Sequence, residues 1–370
     1  MKQNHRSMTP WLRVILLVLL AAVLVLPLAA CNKEKETIAP ATIEPTTTTT
    51  PAATSAAPAQ PEKEIAGYNP INGLPVTDPV AVSARPIGIM INNIKTATPQ
   101  AGISSADLLY ELEVEGDITR LMAVFANPAD VPEIGSIRSL RHDFIDLAGA
   151  FGAIVVHFGG SYAAYDQVMI QNTDNIDSTN ADFAYWRDAN WRASRGYEHS
   201  VKTTGENLLK AIDKLGISDQ NTNGNRAWFY FQPTADIVPA TGGSAVKATA
   251  PFSNYAVATF TYDSTSKTYK KGQFNSDHID ESTGKALEFT NVLLLQAPVT
   301  QFNGDILKEY DLTSGSGYYL TGGTYEKITW KKGGTSQPWI FTRADGSELT
   351  LNRGKIYIGV LRDTKTITIK

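Results

Sequence analysis

Residues 86–92 read P-I-G-I-M-I-N, and residues 108–126 read L-L-Y-E-L-E-V-E-G-D-I-T-R-L-M-A-V-F-A. The first is a short continuous apolar run, the pattern of a strand buried on both faces. The second divides at Gly116-Asp117 into Leu108–Glu115 and Ile118–Ala126, whose alternation predicts a β-hairpin. In the first arm Glu111, Glu113 and Glu115 alternate with Tyr110, Leu112 and Val114. A period of two puts the acids on one face and the apolar residues on the other.

Working outward, Ser136 is predicted to be the N-cap of a helix, with Ile137, Leu140, Phe144, Leu147, Ala148 and Phe151 as its core stripe. Ala153–Phe158 reads as a second buried strand, broken at Gly159-Gly160-Ser161 before a helix from about Tyr162. Thr203-x-x-Glu206 reads as a capping box for a helix carrying Leu208, Leu209, Ile212 and Leu215, with Gly216 as its stop. Strands and helices in this order predict an α+β or α/β layered module over residues 67–224. From about Asn225 the pattern changes. Ala227–Phe231, Tyr255–Tyr262, Asn291–Leu295, Tyr325–Trp330, Trp339–Thr342 and Ile356–Leu361 read as strands between turns such as Ala344-Asp345-Gly346-Ser347. Residues 225–370 are therefore expected to form a mainly β C-terminal module. The sequence shows no internal repeat of the solenoid or propeller kind.

The N-terminus reads as an export signal. Lys2, Arg6 and Arg13 precede the apolar run Val14–Leu26, and Leu28-Ala29-Ala30 leads to Cys31, the one cysteine in 370 residues. A cysteine directly after small residues resembles the bacterial lipoprotein box, in which the thiol is acylated and becomes the mature N-terminus. The other reading is an uncleaved anchor, for which Val14–Leu26 is short of the roughly 20 apolar residues of a span. Residues 1–30 are assigned to the signal peptide. Residues 31–66, rich in Thr, Pro, Ala and Ser, are assigned to a disordered tether, because they carry too little apolar surface to offset ordering entropy.

Loss of the signal leaves 30 Lys+Arg against 37 Asp+Glu, so the net charge moves from −4 to −7. An acidic chain with no basic tract argues against nucleic acid as partner. With Cys31 acylated, no thiol is left for a disulfide, a nucleophile or a metal. His142, His157, His199 and His278 show no compact ligand spacing, so neither a metal nor another cofactor is expected.

Arg138 and Arg141 fall in the first turn of the predicted helix, where the dipole prefers Asp or Glu. They make sense there if an anion completes the site. That anion is either an external phosphate or carboxylate, or a side chain among Glu111, Glu113, Glu115, Asp143 and Asp146. Arg120 and the Gly159-Gly160-Ser161 turn are expected to join them, since small residues admit a ligand close to backbone N–H groups. Ser161 with His157 or His199 lacks the G-x-S-x-G context of a hydrolase. A row of strand acids could serve glycoside hydrolysis but more simply forms a solvated face. Residues 185–199 interleave Trp186, Trp191 and Tyr197 with Arg187, Arg192 and Arg195. They suit either stacked acidic sugars or packing of a loop over the core.

Taken together, R-P-I-G-I-M-I-N-N at 85–93, P-Q-A-G-I-S-S-A-D-L-L-Y-E at 99–111, V-E-G-D-I-T-R at 114–120, G-S-I-R-S-L-R at 135–141, H-F-G-G-S at 157–161 and E-H-S-V-K-T at 198–203 resemble the YerB-like lipoprotein family of Gram-positive bacteria. T-W-K-K at 329–332, D-G at 345–346 and R-G-K-I-Y-I-G-V at 353–360 resemble that family's second module. The resemblance runs from about residue 69 to the end. It implies a lipid-anchored exported protein of two modules and no particular activity. Asn92 stands where the family often carries an acid, and Ser200 where an Asn commonly follows His199. A looser likeness, in T-R-L at 119–121 and S-x-R-x-x-R at 136–141, is to the LytR-CpsA-Psr cell-wall ligases, whose arginines hold a polyprenyl pyrophosphate.

The expectation is a protein anchored by lipid on Cys31 to the outer face of the cell membrane, binding an anionic envelope ligand such as a glycan or polyprenyl-linked phosphate. The candidate binding residues are Arg120, Arg138, Arg141, Gly159, Gly160, Ser161, Glu111, Glu115, Asn92 and His199. Two other classes are an envelope enzyme, either phosphotransferase or glycan-cleaving, and a scaffold for envelope proteins of the wall machinery.

Overall fold

A computed structural model describes residues 67–76, 80–224 and 227–370. The signal, the tether and Cys31 lie outside the described residues. After a short helix, α1 (Val80–Ser83), come β1 (Ile87–Asn93), β2 (Leu108–Glu113) and β3 (Thr119–Phe125). All twenty residues of these strands are buried. β2 and β3 form the expected antiparallel hairpin, with Glu113 opposite Thr119, and β3 continues antiparallel to β1.

The hairpin is the middle of a ten-stranded mixed sheet. On one side of it lie β1, β5 (Ile154–Val156) and β6 (Asn175–Ile176), the last two parallel to β1. On the other side β2 runs parallel to Ile356–Arg362, which runs parallel to Asn291–Ala297. Ser314–Thr321, Thr324–Lys332 and Trp339–Arg343 complete that side as an antiparallel meander. The fold is α+β: helices belong to the N-terminal region, and the C-terminal region is mostly strand.

Alternation along the central strands feeds two cores. Met90, Tyr110, Leu112, Met122 and Val124 pack with Phe144, Leu147, Trp330 and Trp339 on one face. Ile89, Ile91, Leu109, Leu121 and Ala123 pack with Leu208, Ile212, Phe260 and Tyr269 on the other. The first core is covered by α2 (His142–Gly149) and α3 (Tyr162–Ile170), the second by α5 (Gly205–Leu215) and a small antiparallel sheet. Each large apolar side chain buried this way is worth about 1.5–3 kcal/mol relative to exposure. That small sheet is built from β10 (Lys247–Pro251), β11 (Val257–Asp263), β12 (Thr268–Gln273) and β13 (Ser276–Asp277) together with Glu288–Phe289 and Thr368–Ile369; β9 (Tyr230–Phe231) pairs separately with Thr350–Leu351.

Local differences from the sequence reading are physical. Ser136 is not a helix cap. β4 (Ile134–Gly135) runs into an extended segment, and α2 begins only at His142 with Arg141 at its N-cap position. The backbone of 136–140 is claimed by neighbours on both sides. Asn92 N donates to Ser136 O (2.9 Å) and Arg138 N to Met90 O (3.0 Å), while Ile137 N reaches Val201 O in β8 (Val201–Thr203), and Leu140 N reaches Gly159 O. β8 also pairs with β7 (Trp186–Arg187). Ile137 and Leu140 are fully buried as expected, but from a strand-like segment.

The helix over 205–215 starts one residue later than the box suggests. Thr204, whose hydroxyl accepts from Asn207 N, is its cap, and Thr203 ends β8 with its hydroxyl on Ala184 O. Gly216 stops it in the left-handed region at φ 65°. Residues 189–195 form a short helix, α4 (Ala189–Arg195), capped by Asp188. The acids of β2 are not solvated: Glu111 and Glu113 are buried.

Candidate functional site

The extended segment 136–141 and the Gly159-Gly160-Ser161 turn run side by side. Phe158 N donates to Arg138 O (3.1 Å), Ser161 N to Leu140 O (3.1 Å), and Ser139 Oγ to Phe158 O (3.3 Å). A Cβ on Gly159, whose φ is +76°, would touch Ser139 Oγ at 3.4 Å. The turn is fixed from below by the buried Asp177. Its carboxylate accepts from Gly159 N (2.7 Å), Tyr165 Oη (3.0 Å) and Thr179 Oγ1 (2.8 Å). Ser161 Oγ caps α3 by accepting from Ala164 N.

Three arginines meet along this edge at graded depth. The Arg120 side chain, on β3, is 5% exposed, Arg141 13% and Arg138 26%. Arg141 grips Glu115 with both arms of its fork, Nε donating to Oε2 at 2.7 Å and Nη2 to Oε1. Arg120 donates to Glu115 Oε1 (3.3 Å) and Ser139 O (2.6 Å). Arg138 reaches the exposed Glu198 (3.2 Å). Asn92 Nδ2 donates to His199 Nδ1 at 2.9 Å.

The electrostatics are those of excess positive charge. Burial of Glu115 favours its neutral form, but the Arg141 hydrogen bonds and the charges of Arg141 and Arg120 outweigh it, holding the carboxyl at about 2. Burial, then Arg141 and Arg138, pull the Arg120 guanidinium down to about 9 although Glu115 opposes them. Burial and the nearby Arg138 also lower His199, so its ring is neutral at pH 7. Three donors are buried without a partner among the described residues: Arg120 Nε, Arg138 Nε and the Ser136 hydroxyl. One inner carboxylate thus faces two inner guanidiniums, with a third at the mouth.

The structure brings together Asn92, Arg120, Arg138, Arg141, Gly159, Gly160, Ser161, Glu115 and His199. The helix-dipole argument fails for Arg138, which lies in the extended segment, while Arg141 sits at the N-cap of α2; their meeting comes from the segment's pairing with β1 and β8. Glu111 is elsewhere. Its Oε1 accepts from Asn93 Nδ2 (3.0 Å) and Thr119 Oγ1 (2.7 Å), its Oε2 from Tyr357 Oη (2.8 Å), and the fully buried Lys271 pairs with it at 3.1 Å.

Glu113 lies near Lys308 and Arg362. His157 Nδ1 faces Gly159 O and its Nε2 faces Asn175, so no Ser–His pair forms with Ser161. Among the described residues no group of three or more His, Cys, Asp or Glu is placed to hold a metal. The aromatic–arginine stretch is packed on itself. Arg187 lies over the Tyr197 ring at 3.6 Å and Arg195 over Trp191 at 4.0 Å, with Arg195 also paired to Glu281. Sequence reasoning missed Asp177 and Glu198, neither of which has a local signal, because both act across turns brought together by the fold.

Two family models match the chain. One, described as the N-terminal domain of a protein of unknown function (DUF3048), matches residues 71–218, and its C-terminal counterpart matches residues 248–358. A relative from Bacillus subtilis (strain 168) that bears the name "Putative lipoprotein YerB" is 28% identical over 305 residues, covering 81% of this chain and 88% of the relative. The crystal structure of the YerB protein from Bacillus subtilis superposes with a TM-score of 0.71 at 25% identity, over 82% of this chain and 99% of that one.

Proposed function

The chain belongs to the two-module YerB-like family of unknown function, DUF3048, and from that premise we propose that it is a lipid-anchored envelope protein whose arginine cluster binds a phosphate-bearing ligand. The anchor would be Cys31, in keeping with the name of the Bacillus relative and with the leader that precedes the residue. On this reading the folded part stands outside the membrane.

The observation that carries the ligand reading is the set of unpartnered donors beside a surplus of guanidinium charge. Arg120 Nε, Arg138 Nε and Ser136 Oγ have no acceptor, and a buried unsatisfied donor costs about 1–3 kcal/mol. A structural ion-pair network alone would be expected to satisfy them. An incoming oxyanion brings acceptors to a cluster short of them, and guanidinium forks match phosphate geometry with two parallel hydrogen bonds. Arg138 can turn from Glu198, since that pair is solvent-facing and weak. A polyprenyl-linked phosphate fits better than an uncharged sugar. The excess charge selects an anion, and the membrane tether keeps the site within reach of lipid headgroups.

The test uses the full chain, wild type and Arg138→Ala/Arg141→Ala, titrated with inorganic pyrophosphate and with polyprenyl phosphate in nanodiscs. Binding by wild type that falls at least tenfold in the variant supports the site. Absence of binding to either probe by the wild type refutes it. If the variant instead loses stability while wild type binds nothing, the arginines are purely internal partners of Glu115.

A further inference from the structure

A second feature lies where a hairpin of the C-terminal region meets Lys95, Thr98 and Pro99 of the N-terminal region. β12 and β13 are joined by a two-residue turn, Phe274-Asn275, with Gln273 opposite Ser276. Both turn residues are left-handed, at φ 51° and 62°. Such a turn favours Asn-Gly, and an aromatic residue in the left-handed region is strained by its Cβ. The tip is therefore strained where an asparagine or glycine would relieve it. Strain of this kind persists where the side chain is needed at that point.

The position of Phe274 accounts for the need. Its ring packs against Tyr255 at 5.3 Å between centroids, and it forms the ridge between two clefts of about 500 and 300 Å³. The larger cleft is floored by the outward side chains of β11, Thr259 and Thr261, with Lys247 and Lys270 at its margin. Gly272 keeps the floor open, since a Cβ there would meet Thr259 Oγ1 at 2.5 Å. Gln273 lines both clefts. It is 94% buried (relative exposure 6%), its Oε1 accepts from Lys271 Nζ, and its Nε2 donor has no partner among the described residues.

We propose that the Phe274–Tyr255 ridge and its two clefts are a binding site for a polysaccharide chain. A pyranose ring presents an apolar C–H face to an aromatic platform and a rim of hydroxyl groups to donors and acceptors around it. The ridge supplies the platform, while the threonine hydroxyls of the floor supply the rim. A chain longer than one sugar would cross the ridge and occupy a cleft on each side, consistent with the same hairpin residues lining both. The site does not depend on the arginine cluster and carries its own test.

The experiment compares Phe274→Leu with Phe274→Tyr in the full chain. Both keep a bulky side chain at the left-handed position, so backbone strain is held constant, and only tyrosine keeps the aromatic face. The probes are a β-1,4-linked N-acetylglucosamine tetramer and a galacturonate tetramer, read by saturation-transfer NMR and titration. The expected result is binding of at least one tetramer by wild type and Phe274→Tyr, weakened about tenfold or more in Phe274→Leu. A third variant, Phe274→Gly, should lose binding while melting at the same or a higher temperature. Failure of wild type to bind either tetramer, or equal binding by Phe274→Leu, overturns the proposal.

Discussion

Replacing Glu115 by Gln tests whether the arginine cluster is a site or only a set of internal pairs. The substitution keeps shape and one acceptor but removes the carboxylate that Arg141 and Arg120 share. The Glu115 carboxyl is held at about 2 against an ordinary 4.5, a difference that corresponds to about 3 kcal/mol at neutral pH. The side chain is partly exposed, and screening trims this to about 2 kcal/mol. Without an added anion, Glu115→Gln should therefore unfold at lower denaturant by about 2 kcal/mol at an unchanged slope.

With pyrophosphate present, the two accounts diverge. An anion in the cluster replaces the missing charge, and a ligand at a hundred times its dissociation constant stabilises the folded state by about 2.7 kcal/mol. Removing Glu115 also removes a repulsive neighbour of the ligand, so the variant should bind more tightly than wild type. Denaturant titrations of both proteins with and without pyrophosphate should show the deficit closing when the anion is added. A deficit of the same size under both conditions would refute the reasoning.

Further outcomes follow from other buried charges. Burial raises Asp107 to about 6 and, with Asp146 and Glu309 nearby, Asp143 to about 8. Both folded-state values exceed the unfolded 3.8, so these two groups favour the fold most below pH 4, and that contribution is lost as pH rises through 6 and 8; Glu115 acts oppositely, losing its contribution as pH falls from 4.5 toward 2. Asp143→Asn should flatten the fall in measured stability between about pH 4 and 8, because its carbonyl still accepts from Tyr310 N. Glu111→Gln strands the fully buried Lys271 and should cost about 3–5 kcal/mol, much of it recovered by adding Lys271→Met, as a double-mutant cycle would show. Cys31→Ser should abolish metabolic lipid labelling and release the protein from the membrane fraction, and labelling equal to wild type would remove Cys31 as the anchor.

The sequence carried those parts of the fold whose causes are local. The Ile87–Asn93 strand, the hairpin at Gly116-Asp117, the cap at Ser161 and the stop at Gly216 are each determined by residues within a few positions of one another. What failed depends on distant partners. Ile137, Leu140 and Phe144 are spaced as in a helix, yet the segment is extended because Met90, Val201 and Gly159 take its backbone hydrogen bonds. The alternating acids of β2 looked solvated because Lys271, which neutralises Glu111, lies 160 positions further along the chain. The arginines did converge with the Gly159-Gly160-Ser161 turn, for a reason other than the one that singled them out. The carboxylate partner of Arg120 and Arg141 is Glu115, one of five acids that the sequence could not rank.

The most direct test of the central claim is the affinity of Arg138→Ala for polyprenyl phosphate in nanodiscs, measured beside its melting temperature. Arg138 is the most exposed of the three and among the described residues its ion pair is with the solvent-facing Glu198, so its loss leaves the inner Arg120–Glu115–Arg141 contacts in place. The account predicts an unchanged melting temperature and an affinity weakened at least tenfold, the effect of one charge-assisted contact worth about 1.5–3 kcal/mol. An unchanged affinity, or no binding by the wild-type chain, would contradict it.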